Sequence, residues 1–183
     1  MSLTFGSVTV AAISALVVMS LQIVVQARLS LGLDGADQMQ FLIWLGVALS
    51  GASLVAGLTL IAGQSLLSYL VAGWAKVGGK VWRAGQAPSA IVATIGHGNP
   101  RAHHAVSALT LPIAYGTMAF ETLGPVLAFL GGFFLLCFVV TALGFHVGIA
   151  WAMGLNNFVW AFTAALPAVV WLVTSVTGRG MGL

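Results

Sequence analysis

Long apolar runs with almost no charged residue are the feature that most constrains this chain. Of its 183 residues, 60% are hydrophobic and only 5% are charged, whereas a soluble domain has about 25% charged residues. Such a chain cannot cover its apolar surface in water. The sequence therefore predicts an all-α integral membrane protein, a transmembrane helical bundle that forms one domain over residues 1–183.

The charge pattern restricts the possible partners. Six basic and three acidic residues give a net charge of +3, which is too little for a nucleic-acid footprint, so no nucleic-acid partner is expected. The segment with Lys80, Arg83 and Arg101 should face the cytoplasm by the positive-inside rule. We expect a protein of the bacterial inner (cytoplasmic) membrane, in contact with the lipid bilayer and with other membrane protein subunits.

The length of the apolar runs predicts the spans, because a helix needs about 20 apolar residues to cross the hydrocarbon layer. Residues 41–77 are too long for one ordinary crossing, and glycines at 51, 57 and 63 are candidate break points. One bent helix and two helices with a tight turn both stay open, with two elements favoured. We expect five spans, or six, among residues 8–25, 41–77, 105–130, 133–153 and 158–176.

The polar segments between these runs are predicted to be connections. Residues 28–40 are interpreted as a loop because they contain Asp34, Gly35 and Asp37. Residues 78–104 form the longest polar segment, with a short surface helix expected near 88–95. Turns are expected at residues 131–132 and 156–157.

Lys76 and Glu121 are charged residues within or at the end of apolar runs, where a charge is unfavourable and needs a reason. Lys76 shares a helical stripe with Tyr69 and Gly73. An apolar site can hold its amine neutral, as a base, although a lysine at a helix end can also extend to the interface. Glu121 lies about 20 Å along its helix. It is expected to be hydrogen-bonded to a neighbouring helix, or to act as a proton carrier or ligand contact.

His146 lies between Gly144 and Gly148, which are four residues apart and share one helix face. That face predicts close packing with another helix, and His146 should point away from it. A packing role is favoured for His146, with ligation as the alternative. His97, His103 and His104 lack an accompanying cysteine or carboxylate, so no metal site is expected.

An ordered set of residues over 64–172 resembles the HTTM membrane domain, which is shared with vitamin K-dependent gamma-carboxylases. The shared pattern is a Tyr, a small residue with Gly-x-x-Lys, a Trp-x-x-Gly, a glutamate-bearing span and a Phe-His-x-Gly-Ile-Ala run. The residues that carry it are Tyr69, Gly73, Lys76, Trp82, Gly85, Glu121, Phe145, His146, Gly148, Ala150 and Phe158.

The resemblance implies a chemistry. In gamma-carboxylases the matching lysine deprotonates vitamin K hydroquinone, which gives Lys76 the role of base. If the chain is such an enzyme, we expect Glu121 and His146 to assist proton movement and Tyr69, Gly73 and Trp82 to bind the cofactor. The cofactor itself stays open, with a quinone, a lipid or another isoprenoid as the candidates. This chain has no large extramembrane domain for a peptide substrate, so full carboxylase activity is not expected.

Two functional hypotheses follow. The first is an accessory or structural subunit of a larger membrane complex, because the chain is small and rich in glycine faces that suit helix packing. The second is a quinone- or lipid-linked membrane enzyme with Lys76 as the base. A transporter ranks last, because the sequence shows neither an inverted repeat nor a polar path.

Overall fold

The computed structural model describes residues 2–29, 34–94 and 99–178, and within them it contains helices and no strand. The all-helical prediction is therefore confirmed. The described helices are α1 (Ser2–Leu29), α2 (Gly35–Ser50), α3 (Leu54–Gly78), α4 (Lys80–Arg83), α5 (Ala87–Val92), α6 (Pro100–Ala108), α7 (Thr110–Ala128), α8 (Gly132–Met153) and α9 (Asn156–Thr177).

Four of the described helices are long and apolar enough to cross a membrane: α1 over Gly6–Arg28, α3, α8 and α9. The expected count of five or six spans is not confirmed. Helix α2 has only 16 residues, fewer than the roughly 20 that a crossing needs. Helix α7 has 19 residues, but Glu121 and two prolines lower its hydropathy.

The predicted loop over residues 28–40 is wrong from Gly35 onward, where α2 begins. The Asp34 carboxylate accepts a hydrogen bond from the Asp37 backbone N–H at 2.8 Å, and the Asp37 carboxylate accepts one from the Asp34 N–H at 3.4 Å. This capping box satisfies amide groups that the first helical turn leaves unpaired. The same polar residues that suggested a loop therefore start a helix.

The described helices divide into two compact units. The first contains residues 1–65 and 161–172, so it holds α1, α2, the first half of α3 and the middle of α9. Helix α2 ends at Ser50 and α3 begins at Leu54, which confirms two elements within 41–77. The two helices approach closely at Gly46 and Gly57, where any Cβ atom would collide with the facing helix.

The second unit contains residues 66–160 and 173–183, so it holds the rest of α3, all of α4–α8 and both ends of α9. Helices α5 and α6 pack against each other and against α7 and α8. The surface helix expected near 88–95 is α5. The single helix predicted over 105–130 is instead two helices, because α6 ends at Ala108, the chain bends at Leu109 and α7 begins at Thr110.

Two glycine turns connect the last three helices. The expected turn at 131–132 is present, with Gly131 in the left-handed region at φ 71° and α8 beginning at Gly132. The turn expected at 156–157 is misplaced, because α8 ends at Met153, Gly154 follows it with φ 71°, and α9 already begins at Asn156. Glycine at the position after a helix adopts this conformation without a Cβ penalty, and it decides where α8 ends.

Candidate functional site

An ion pair joins α3 to α7 in the second unit. The Lys76 Nζ atom donates a hydrogen bond of 2.6 Å to Oε2 of Glu121, which lies 45 residues further along the chain. The Lys76 side chain is 21% exposed and the Glu121 side chain is 5% exposed. Within the described residues this is the only ion pair. The pair therefore has one accessible member and one buried member.

Gly73 brings the two helices close enough for this pair to form. A Cβ atom at Gly73 would lie only 2.8 Å from the Glu121 carbonyl carbon and from the Thr122 backbone nitrogen. Gly73 also lies about one helical turn before Lys76, on the same face. The residue that the sequence suggested for cofactor binding is thus buried against the α7 backbone, where it positions the Lys76–Glu121 pair.

Trp82 provides a second contact for the Lys76 ammonium group. Its ring lies on α4, just after the chain bends at Gly79, and the ring centroid is 5.2 Å from Lys76 Nζ. A cation over the face of a tryptophan at this distance is attracted by the ring quadrupole. Trp82 is partly buried, so the amine lies between a carboxylate and an indole.

A second buried polar pair joins α3 to α8. The Tyr69 hydroxyl group and His146 Nε2 are 2.8 Å apart and hydrogen-bonded. Both residues are buried, at 3% and 4% exposed. His146 therefore lies on the buried side of α8, whereas Gly144 and Gly148 are exposed.

Aromatic rings enclose this Tyr69–His146 pair. Phe120 and Phe138 contact the Tyr69 ring edge-on, with centroids 5.4 and 5.6 Å away. Phe158 stacks on His146 at 6.2 Å. The rings exclude water from the hydrogen bond, which strengthens it.

An open groove of about 420 Å³ runs between α7 and α8. Its lining is mostly apolar and includes two glycines. Phe120 belongs both to this groove and to the aromatic enclosure of Tyr69, so the groove and the buried pair share a wall. The lining residues are Ile113, Gly116, Thr117, Phe120, Thr141, Gly144 and Phe145.

The remaining histidines lie away from these pairs. His103 and His104 are exposed on α6, and His97 lies outside the described residues. Where the structure describes the chain, no group of three or more His, Cys, Asp or Glu residues could hold a metal ion. His146 contacts a tyrosine and aromatic rings instead.

Sequence reasoning missed the groove and the Phe120 wall. The signal was present on α7, where residues 113, 116, 117 and 120 recur at the spacing of one helical face.

No family model, curated protein or solved structure matches the chain. Chemically, the second unit offers a hydrogen-bonded amine and carboxylate between α3 and α7, and it also carries an apolar groove with an aromatic wall.

Proposed function

We propose that the chain is an integral membrane protein that carries out acid–base chemistry on a lipid-soluble substrate, with Lys76 as the base. The observation that carries this proposal is the 2.6 Å contact between Lys76 Nζ and Glu121 Oε2, in which the lysine is accessible and the carboxylate is buried. A buried carboxylate beside a reachable amine is suited to proton transfer.

The proton transfer can be written with the two groups of the pair. Neutral Lys76 takes a proton from a weakly acidic hydroxyl group of the substrate, and the oxygen is left as an anion. The new ammonium group is stabilised by the Glu121 carboxylate and by the Trp82 ring. In the proposed cycle the ammonium group then returns its proton to water, which restores the base.

The groove between α7 and α8 supports a substrate with an apolar tail. It is open and lined mainly by apolar side chains, and its Phe120 wall also contacts the buried Tyr69. A quinol with an isoprenoid tail combines a weakly acidic hydroxyl group with such a tail. This substrate class agrees with what the HTTM resemblance implies, and four apolar helices support a location in a membrane, proposed as the bacterial inner membrane.

Substitution Lys76→Arg tests the base directly. Arginine keeps the positive charge and the ion pair, but it stays protonated and cannot accept a proton. The probe is a naphthoquinol with an isoprenoid tail, added to the full chain in lipid nanodiscs. Its aerobic oxidation is measured as the rate of oxygen uptake, because the deprotonated quinol oxidises faster.

We expect the wild-type chain to accelerate oxygen uptake and Lys76→Arg to remove the acceleration. Lys80→Arg is the matched control, since Lys80 is exposed on the next helix, and it should keep the wild-type rate. Full acceleration by a folded Lys76→Arg variant would refute the proposed base.

A second candidate function, the accessory subunit of a membrane complex, is supported by α8. Cβ atoms at Gly144 and Gly148 would meet nothing within 4 Å, so this small-residue face is open to a helix of another chain. Mild-detergent extraction followed by native mass measurement tests this function. The subunit function is supported if protein partners co-purify in fixed stoichiometry and are lost in the double variant Gly144→Leu, Gly148→Leu. A particle that contains this chain alone would contradict it.

A further inference from the structure

In the described part of the second unit, the exposed lysine and arginine residues lie on two short helices. Lys80 and Arg83 are exposed on α4, and Arg101 is exposed on α6. Both helices pack against α5 and against α7. Because α4, α5 and α6 connect the last turn of α3 to the first turn of α7, the three cations belong to one end of that helix pair. We call these three residues the basic face.

The basic face has no protein counter-charge within its unit. Over residues 66–160 and 173–183, Glu121 is the only acidic residue in the sequence. Its carboxylate is buried and already paired with Lys76. Within this unit, no acidic side chain is therefore available to neutralise the positive potential of the three exposed cations.

Helix α6, which carries Arg101 of the basic face, is amphipathic. Helices α5 and α6 bury Val92, Ala102 and Val106 in one apolar cluster, while Arg101 points to the outside. With 6 and 9 residues they are too short to cross a bilayer. A short helix with a basic outer face and an apolar inner face, as in α6, is typical of the membrane–water boundary.

Exposed tryptophans support the same placement. Trp74 on α3 is 66% exposed, and Trp151 on α8 is 53% exposed. The Trp151 backbone oxygen accepts a hydrogen bond of 2.8 Å from the Asn99 side chain, just before α6. Tryptophan is enriched at the level of lipid headgroups, so the end of α8 that holds α6 lies at that level.

We propose that the basic face binds the headgroup of an anionic phospholipid. The phosphate group lies against Lys80, Arg83 and Arg101, and the acyl chains lie along the neighbouring apolar helices. A lipid fits better than free phosphate, because apolar and indole surfaces adjoin the cations. This inference rests on the proposed membrane location, but it is independent of the chemistry at Lys76.

Binding of fluorescent phosphatidylglycerol to the full chain in detergent, read by fluorescence polarisation, tests the inference. Fluorescent phosphatidylcholine is the matched lipid without net charge. The variants are the triple substitution Lys80→Gln, Arg83→Gln, Arg101→Gln and the control Arg28→Gln, which removes one exposed cation from the first unit.

We expect the wild-type chain to prefer phosphatidylglycerol. Each removed charge should weaken its binding about fivefold, and the triple substitution about a hundredfold. Arg28→Gln should keep the wild-type affinity. Equal affinity for the two lipids, or an unchanged affinity in the triple variant, would overturn the proposal.

Three further measurements use only the wild-type chain. Raising the salt concentration from about 0.01 M to about 1 M shortens the screening length from about 30 Å to about 3 Å, so it should abolish the lipid preference. A preference that persists at high salt contradicts the electrostatic account, and displacement of the lipid by equimolar inorganic phosphate contradicts the lipid assignment. Separately, release of the chain from membranes by alkaline carbonate would refute the membrane location itself.

Discussion

Substitution Gly73→Ala should separate α3 from α7 and weaken the Lys76–Glu121 pair without touching either charged residue. The new Cβ atom would lie 2.8 Å from the backbone of Glu121 and Thr122, whereas ordinary contacts begin at 3.4 Å. The helices must therefore move apart by about 0.6 Å or more at this point, because neither backbone can rotate away as a flexible side chain would.

The expected loss of stability follows from this overlap. Inserting a methyl group into a tightly packed contact lowers the free energy of unfolding by about 1–3 kcal/mol. Alanine in place of glycine within a helix raises it by about 0.5–1 kcal/mol. We therefore expect a net loss of up to about 2.5 kcal/mol, and a Lys76–Glu121 hydrogen bond that is longer than its present 2.6 Å.

Equilibrium unfolding in mixed micelles measures this loss. Gly63→Ala is the matched control, since Gly63 lies on the same helix and a Cβ atom there would meet nothing within 4 Å. It should be neutral or slightly stabilising. Adding Thr122→Ser to Gly73→Ala removes the methyl group that also lies 2.8 Å from the new Cβ atom, and it should recover part of the loss. If Gly73→Ala is as stable as Gly63→Ala, the close approach of α3 and α7 is refuted.

Three further predictions concern stability and use the same unfolding assay. Glu121→Gln removes the counter-charge of Lys76 and should destabilise the chain. The loss should be smaller than the about 3–5 kcal/mol measured when a fully buried ion pair loses one partner. Adding Lys76→Met should recover most of the loss. An additive double variant would contradict the coupling. Tyr69→Phe removes the hydrogen bond to His146 but keeps the ring contacts, so a loss of about 1 kcal/mol is expected, and no change would mean that this bond contributes nothing. Gly57→Ala in the first unit places a methyl group against the α2 backbone and should destabilise by about 1–3 kcal/mol, which wild-type stability would disprove.

The helices were predictable where apolar length alone decides the structure. Helix α8 agrees with its predicted span to within one residue, since an uninterrupted apolar run leaves the backbone no partners other than its own. Boundaries were misplaced where one polar residue or glycine decides them. Asp34 caps a helix that the sequence suggested was a loop, and Gly154 ends α8 two residues before the expected turn.

The residues of the candidate site were predictable one by one, but their pairing was not. A charge in an apolar run identified Lys76 and Glu121, and helical spacing placed Tyr69 and Gly73 on the face of Lys76. Nothing in the sequence indicated that Lys76 would contact Glu121 or that Tyr69 would contact His146. Those contacts depend on which helices pack together, and that depends on backbone approaches such as the one at Gly73.

The two buried pairs differ in what they can do, and this difference favours chemistry at Lys76. The Tyr69–His146 pair is closed off by aromatic rings, so it can stabilise the packing of α3 on α8 but cannot meet a substrate without a rearrangement. Lys76 keeps 21% of its side chain exposed while its partner is buried. Apolar residues often replace a buried ion pair without loss of stability, so stability alone does not account for the charges of Lys76 and Glu121. A reachable amine beside a buried carboxylate is instead the arrangement that proton transfer needs.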